Sequence, residues 1–406
     1  MAKKEAPKKK APKERRNAAY TALAARFFRR QAKQLAKQLD GVRAATDIEF
    51  IHRARVASRR LRAGLRVFEN ALRPLGVKPR KWREAIRQVT ASLGAARDRD
   101  VQGDLVCHVL AAADEPGVCS GLARILVRIE EQREALQPEV AAAVERLERS
   151  GVLAEMQQAA NTVLPKGEMK VKLGNKRLLQ HGREHILKRL EKLLADQACL
   201  EDPTAIERHH AMRIVAKRLR YTLEIFEPVY GAPLRPFVNR VKNVQSHLGE
   251  MHDCDVWQAD LERFLEQERQ RTRVCFVQAQ PFARLSEGVE YLRRDRRRHR
   301  DAQFAALQSY WQEACCGATW EALRQLVTSP KKFAEVGMLE WGGEEAAAPP
   351  ALPPASAGNG RDSRAAGTDD QEADGGPPAP SASQPSGDAE AEKAPSREGA
   401  PLAGQP

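Results

Sequence analysis

Residues 51–69 read IHRARVASRRLRAGLRVFE and carry Arg53, Arg55, Arg59, Arg60, Arg62 and Arg66 beside His52. At about 100° per residue, His52, Arg55, Arg59, Arg62 and Arg66 fall within an arc of about 80°. Ala54, Ala57, Leu61, Leu65, Phe68 and Leu72 occupy the opposite side. The stretch therefore reads as an amphipathic helix with one apolar and one cationic face. Arg60 lies on a flank. A solvated face is the ordinary explanation for one such helix, but this one carries almost no acid for pairing at i, i+4.

The same pattern returns. Residues 46–69, TDIEFIHRARVASRRLRAGLRVFE, and residues 204–227, TAIERHHAMRIVAKRLRYTLEIFE, agree at 11 of 24 positions at an offset of 158. In the second copy His210, Arg213, Lys217 and Arg220 form the stripe, with Arg218 matching Arg60. Met212, Val215, Leu219, Leu223 and Phe226 form the apolar face, and Glu224 stands opposite Arg66. Thr46-x-x-Glu49 and Thr204-x-x-Glu207 have the form of capping boxes and place both helix starts there. A second motif follows each copy: LGAARDRDV at 93–101 and LGEMHDCDV at 248–256, offset 155. Of its acids Asp98, Asp100, Asp253 and Asp255, Asp98 and Asp253 follow a Leu-Gly turn and are expected to cap the next helix or to brace arginines of the stripe. They lack the companion ligands of a metal site. His252 has Arg97 as its counterpart and is expected to be non-catalytic.

The basic positions recur as faithfully as the core positions, and arginine's planar fork suits phosphate oxygens. Charges along a stripe are about 5 Å apart on the helix axis, a spacing suited to a flexible chain charged at every unit. His52 and His210 sit on the stripes and are expected to contact the same anion. Arg26, Arg29, Arg30, Lys33 and Lys37 share one helical face, and Arg80 and Arg87 match Arg235 and Lys242 at the second offset, which extends the candidate surface.

Between residues 17 and 341 the pattern is helical, with apolar residues recurring at three and four and no alternating strand-like runs. Turn signals divide it into segments of roughly 12 to 30 residues. The chain has 406 residues and a net charge of +14. Residues 342–406 hold eleven acids against four bases, so the remainder carries +21, a balance that implies a polyanionic partner. Residues 1–16 are Lys-, Pro- and Ala-rich, and 342–406 are poor in large apolar side chains. Both are expected to be disordered.

No run of 18 apolar residues appears, so no membrane insertion is expected. The N-terminus lacks the apolar segment of a secretory signal. The seven cysteines form no C-x-x-C pair, which points to a reducing cytoplasm. No Gly-rich phosphate loop, H-E-x-x-H or nucleophile elbow is present. The expected function is binding, with no cofactor and no metal.

The paired motifs H-x-x-R-x-x-x-R-R-L-R-x-x-L-x-x-F and L-G-x-x-R/H-D-x-D-V, each occurring twice in order, resemble the CHAD (conserved histidine α-helical) domain over roughly residues 17–335. The resemblance implies an all-α fold of two similar helical bundles related by a pseudo-two-fold repeat, here 17–165 and 166–335. It also implies binding of inorganic polyphosphate through the basic surface and, in bacteria, association with polyphosphate granules. Carried over residue by residue, the family's site falls on His52, Arg55, Arg59, Arg60 and Arg62, and on His210, Arg213, Lys217, Arg218 and Arg220. Arg66, Arg87, Lys242, Arg29 and Lys33 are added from the basic faces. Lys217 and Glu224 depart from the pattern. The E-x-E-x-K strand motif of an attached triphosphatase barrel is missing, so a stand-alone, non-enzymatic binder is expected. Non-specific nucleic-acid binding is the alternative, suited by the basic arm at 1–16, although stripe 52–66 lacks aromatic, Asn or Gln side chains for reading bases. The oligomeric state is left open by the sequence.

Overall fold

The computed structural model describes residues 18–72, 76–164, 176–275 and 280–329. The expected disordered arm and tail, and the expected boundary near residue 165, lie outside the described residues. Within them the structure is helical and contains no strand.

The first half comprises α1 (Ala18–Ala36), α2 (Leu39–Ala44), α3 (Ile48–Val67), the single turn α4 (Glu69–Leu72), α5 (Pro79–Ala111), α6 (Pro116–Arg149) and α7 (Val152–Val163). The second comprises α8 (Lys176–Ala195), α9 (Ile206–Tyr230), α10 (Arg235–Cys275), α11 (Gln280–Ala314) and α12 (Gly317–Thr328). Short 3₁₀ turns at Gln197–Glu201 and Ala232–Leu234 flank α9.

The order of packing repeats. In the first half α1 packs on α3, α3 on α5, α5 on α6, and α7 back on α1; in the second α8 packs on α9, α9 on α10, α10 on α11, and α12 on α8. The apolar faces read from sequence supply the core. Ala54, Ala57, Leu61, Leu65, Phe68 and Leu72 are buried, as are Met212, Leu219, Leu223 and Phe226, with Val215 half-buried against them. They join one cluster that includes Phe28, Trp82, Ile186, Phe237 and Trp320 and runs through both halves.

A second, smaller core holds the far ends of the long hairpins together. Val106, Val118, Leu122 and Ile125 meet Trp257, Leu261, Val289 and Leu292 there. Its centre is a crossing of α6 and α11 at Gly121 and Gly288. A Cβ at Gly121 would stand 2.5 Å from the Leu285 carbonyl oxygen and 2.7 Å from the Gly288 Cα, and one at Gly288 would stand 2.4 Å from the Val118 oxygen. The offset of 167 between the two glycines also relates Val118 to Leu285 and Leu122 to Val289.

Three expectations about local structure are corrected. The helix of the first stripe is capped by Asp47, not Thr46: its carboxylate accepts from Glu49 N–H at 2.8 Å. Before α9, Asp202 accepts from the Thr204 N–H at 2.8 Å and from its hydroxyl at 2.6 Å, so that threonine is consumed in a turn and the helix begins later, at Ile206. In both cases a charged acceptor outcompetes a hydroxyl. Leu93-Gly94 forms no turn; α5 runs through it. The helices also exceed the expected segment length, reaching 41 residues in α10.

The crossing generates a prediction. Gly121→Ala places its Cβ against the backbone of α11, which cannot move aside as a flexible side chain could. Such overpacking costs on the order of 1–3 kcal/mol. The melting temperature should fall by several degrees, whereas Gly103→Ala, whose Cβ would meet only side-chain methyls at 3.8 Å or more, should leave it unchanged or raised.

Candidate functional site

Helices α3 and α9 are direct neighbours, so the two cationic stripes share a seam. Tyr221 of α9 lies between them. The Arg59 guanidinium sits 5.8 Å from its ring centroid and that of Arg220 5.0 Å, and such contacts spread charge over an aromatic face. Glu224 stands 3.6 Å from Arg60 and 3.5 Å from Arg220. The acid that interrupts the second stripe therefore ties the two halves across the seam.

Not every stripe residue faces solvent. Arg55 is only 2% exposed, as bracing of Asp98 requires; its repeat partner Arg213 is also 2% exposed, and Lys217 6%. The reason lies on α5. Gly94 has no side chain, and the Arg55 guanidinium fills the space: its Nη1 lies 2.5 Å from where a Cβ would be. Arg55 reaches Asp98 one turn on, at 3.6 Å. Gly94 and Asp98 thus form a landing for Arg55, which explains the glycine inside a helix. The corresponding Gly249 has open space above it, so the second half does not reproduce this contact.

The other acids of the second motif brace both halves alike. Arg133 Nε donates to Asp100 Oδ1 at 2.7 Å, and Arg300 Nε to Asp255 Oδ1 at 2.5 Å. Burial nevertheless raises the pKa of both carboxyls, against the arginines that lower it.

The exposed or half-exposed stripe residues are Arg59, Arg60, Arg62, Arg66, Arg218 and Arg220, with His52 and His210. Arg29 and Lys33 are exposed on α1, which packs on α3, and Lys242 is exposed on α10, which packs on α9. Arg87 is exposed but held by Glu84 of its own helix through two hydrogen bonds of 3.1 and 2.7 Å, which neutralises it locally.

Two residues that the sequence left aside enter the site. Arg97 is 7% exposed, with Nε and Nη1 making no hydrogen bond within the protein. Its charge acts on His52, whose pKa is lowered first by burial and then by Arg97, with Arg53 and Arg59 adding to it and Glu49 opposing. In the second half His252 meets His210, Nδ1 to Nδ1 at 3.0 Å. Burial lowers the pKa of His210, helped by Arg213 and Lys217. His252 is pushed down to about 3 by burial, Arg213, His210 and Lys217. The signal was present in the repeat: the position is basic in both copies. Burial first, and the cations around them second, favour the neutral form of all three histidines. Among the described residues no cluster of three or more His, Cys, Asp or Glu could hold a metal ion, and no helix is long and apolar enough to cross a membrane.

Residues 26–262 match the model of the CHAD domain. The chain belongs to the CHAD family. The CHAD domain of the plant Ricinus communis, solved by crystallography, is 23% identical, with a TM-score of 0.50 over 72% of this chain and 91% of that one. PptA from Streptomyces chartreusis is 15% identical, with a TM-score of 0.46 over 72% of this chain and 99% of that one. No curated protein matches the chain. The CHAD match takes in both copies of the histidine–arginine motif and both copies of the Leu-Gly-Asp motif, and the plant domain shares the fold.

Burial separates the stripe residues experimentally. Arg55→Ala empties the space over Gly94 and removes a buried guanidinium from beside Asp98, and losing a large buried side chain costs on the order of 2–5 kcal/mol. Its melting temperature should drop clearly. Arg59→Ala with Arg62→Ala should stay within about 0.5 kcal/mol per site of the parent. Thermal melts of the two proteins side by side test the assignment.

Proposed function

We propose that this CHAD protein binds inorganic polyphosphate along the seam of α3 and α9, without turnover. The observation that carries the reading is the meeting of two arginine stripes at Tyr221, where Arg59 and Arg220 approach one ring from opposite halves. Two rows of cations around neutral histidines form a track for a chain that carries a charge on every unit. Arg59, Arg60, Arg62 and Arg66 supply one row and Arg218 and Arg220 the other, with His52 and His210 at the row ends. Arg55, Arg213 and Lys217 lie beneath them as buried charges that raise the local positive potential. Arg97 offers two buried N–H donors, the kind of group whose desolvation a bound anion offsets.

The family resemblance supports the polymer as ligand, and it extends to a granule-associated protein of a bacterial cytoplasm. No membrane insertion, cofactor or resident metal belongs to the reading. Non-specific binding of nucleic acid is the competing outcome, favoured by net charge alone.

Labelled long-chain polyphosphate, competed with duplex DNA and with RNA at physiological salt, decides between them. Polyphosphate should hold its place at equal charge concentration; displacement by either nucleic acid would overturn the reading. The Arg59→Ala, Arg62→Ala protein should bind more than tenfold more weakly, since a hydrogen bond to a charged group is worth about 1.5–3 kcal/mol. Its plot of log K against log salt should be shallower by up to about one unit per lost contact, if the polymer condenses counterions as DNA does. Unchanged affinity in a folded double variant would remove these residues from the site.

A further inference from the structure

Positions 97 and 252 are equivalent at the offset of 155, and each faces the histidine of its own half. Arg97 acts on His52 across α3 and α5. His252 bonds His210 across α9 and α10, with ring centroids 4.4 Å apart. One half thus carries a permanent charge where the other carries a titratable ring.

The geometry of the pair sets how many protons it can hold. An Nδ1–Nδ1 hydrogen bond needs one ring that donates Nδ1–H and one that accepts with a bare Nδ1. In the neutral pair the donor ring has a bare Nε2, while the acceptor ring carries its proton on Nε2. One added proton enters at that bare Nε2 and leaves the shared bond intact. A second would occupy the accepting lone pair and break it. The capacity of the pair is one proton.

The charges that act on the pair are cationic and come from α9: Arg213 and Lys217. On α11, which packs on α10, His299 is engaged by Glu250 at 3.3 Å and Arg300 by Asp255 at 2.5 Å. Arg296 of α11 bonds its neighbour Asp295. The turn Ala232–Leu234 carries no charge. Elsewhere along α9, α3 meets it at the Arg60–Glu224 pair, the Gln197–Glu201 turn meets His209 through the Cys199 carbonyl, and Arg183 of α8 acts on Tyr230. The charges that shift the two rings include no acid; Glu207 lies one turn before His210 and Asp253 next to His252, and a polyanion laid on the pair would add negative charge to what these acids supply.

We infer that binding of polyphosphate draws one proton into the His210–His252 pair, which gives the second half the charge that Arg97 supplies permanently to the first. This rests on the polyphosphate reading above. The sign follows from linkage. In the free protein burial first, and then the neighbouring cations, lower both rings, which favours the neutral pair. A bound polyanion raises the pair's proton affinity, so the complex holds more protons than the free protein. Affinity therefore rises as pH falls.

The test is calorimetric titration with long-chain polyphosphate at fixed ionic strength between pH 5.5 and 8, in buffers of different ionisation heat. His252→Arg is compared with the parent, and thermal melts confirm that it folds. The parent should gain up to tenfold in affinity per pH unit for one proton linked, beyond whatever His52 contributes in both proteins. His252→Arg should take up one proton fewer and show a slope shallower by up to one unit, with affinity at pH 8 at least equal to the parent's. His252→Asn should match the parent at pH 8 and fall behind it at pH 6. Equal proton counts and equal slopes in folded parent and His252→Arg, both binding polyphosphate, would overturn the inference. Failure of the parent to bind at any pH would overturn the polyphosphate reading itself, and this inference with it.

Discussion

Setting α3 beside α9 brings two cationic helices into one seam, and much of the molecule serves to hold that repulsion in place. The apolar faces supply the attraction: Leu61, Leu65 and Phe68 on one side and Leu219, Leu223 and Phe226 on the other enter a common core. Local devices then reduce the cost. Tyr221 lies between two guanidinium groups. Glu224 pairs across the helices. Asp98 takes Arg55. The glycine crossing of α6 on α11 fixes the halves at a second place, so that the seam cannot relax by letting them slide apart. What repulsion is left would be relieved by a polyanion lying on it, as the proposed function requires.

The two halves are alike in frame and unlike in detail. The Asp–Arg brace is the same in both, because the geometry of the long hairpins depends on it. The landing for Arg55 on Gly94 exists only in the first half. Glu224 shortens the second stripe, and His252 replaces a guanidinium. Of the two rows, the first therefore carries more permanent charge than the second, where Glu224 interrupts the cations.

Much of this was legible in the sequence because it rests on period and repetition. The helical class, the core face of each motif helix and the direction of the stripes follow from 3.6-residue spacing alone. Burial within the stripe did not, because it depends on a third helix that the period of α3 cannot report. An arginine at the edge of a polar face is exposed or covered according to what α5 presents there, and α5 presents a glycine. The Leu-Gly pair was read as a turn because glycine disfavours helix interiors by about 1 kcal/mol; the guanidinium packed on it supplies the tertiary reason that outweighs this. The caps were missed for a similar reason: Thr46 and Thr204 fit the consensus spacing, but Asp47 and Asp202 stand next to them and accept more strongly. Gly121 and Gly288 carry no local signal at all, since their role appears only when the two halves meet.

The width of the seam bears on what kind of polyanion it can hold. Packed helices lie about 8–10 Å apart, and stripe charges recur about every 5 Å along each. A single flexible phosphate chain can lie between the rows and be contacted from both. A DNA duplex, stiff over about 150 base pairs, would rest across the rims and reach only the outermost cations. Buried charges such as Arg55, which packs on Gly94 of α5, and Arg213, which acts on His252 of α10, add to the positive potential around the rows. Selectivity among polyanions can then arise from the shape of the charge distribution, without any group that reads a base.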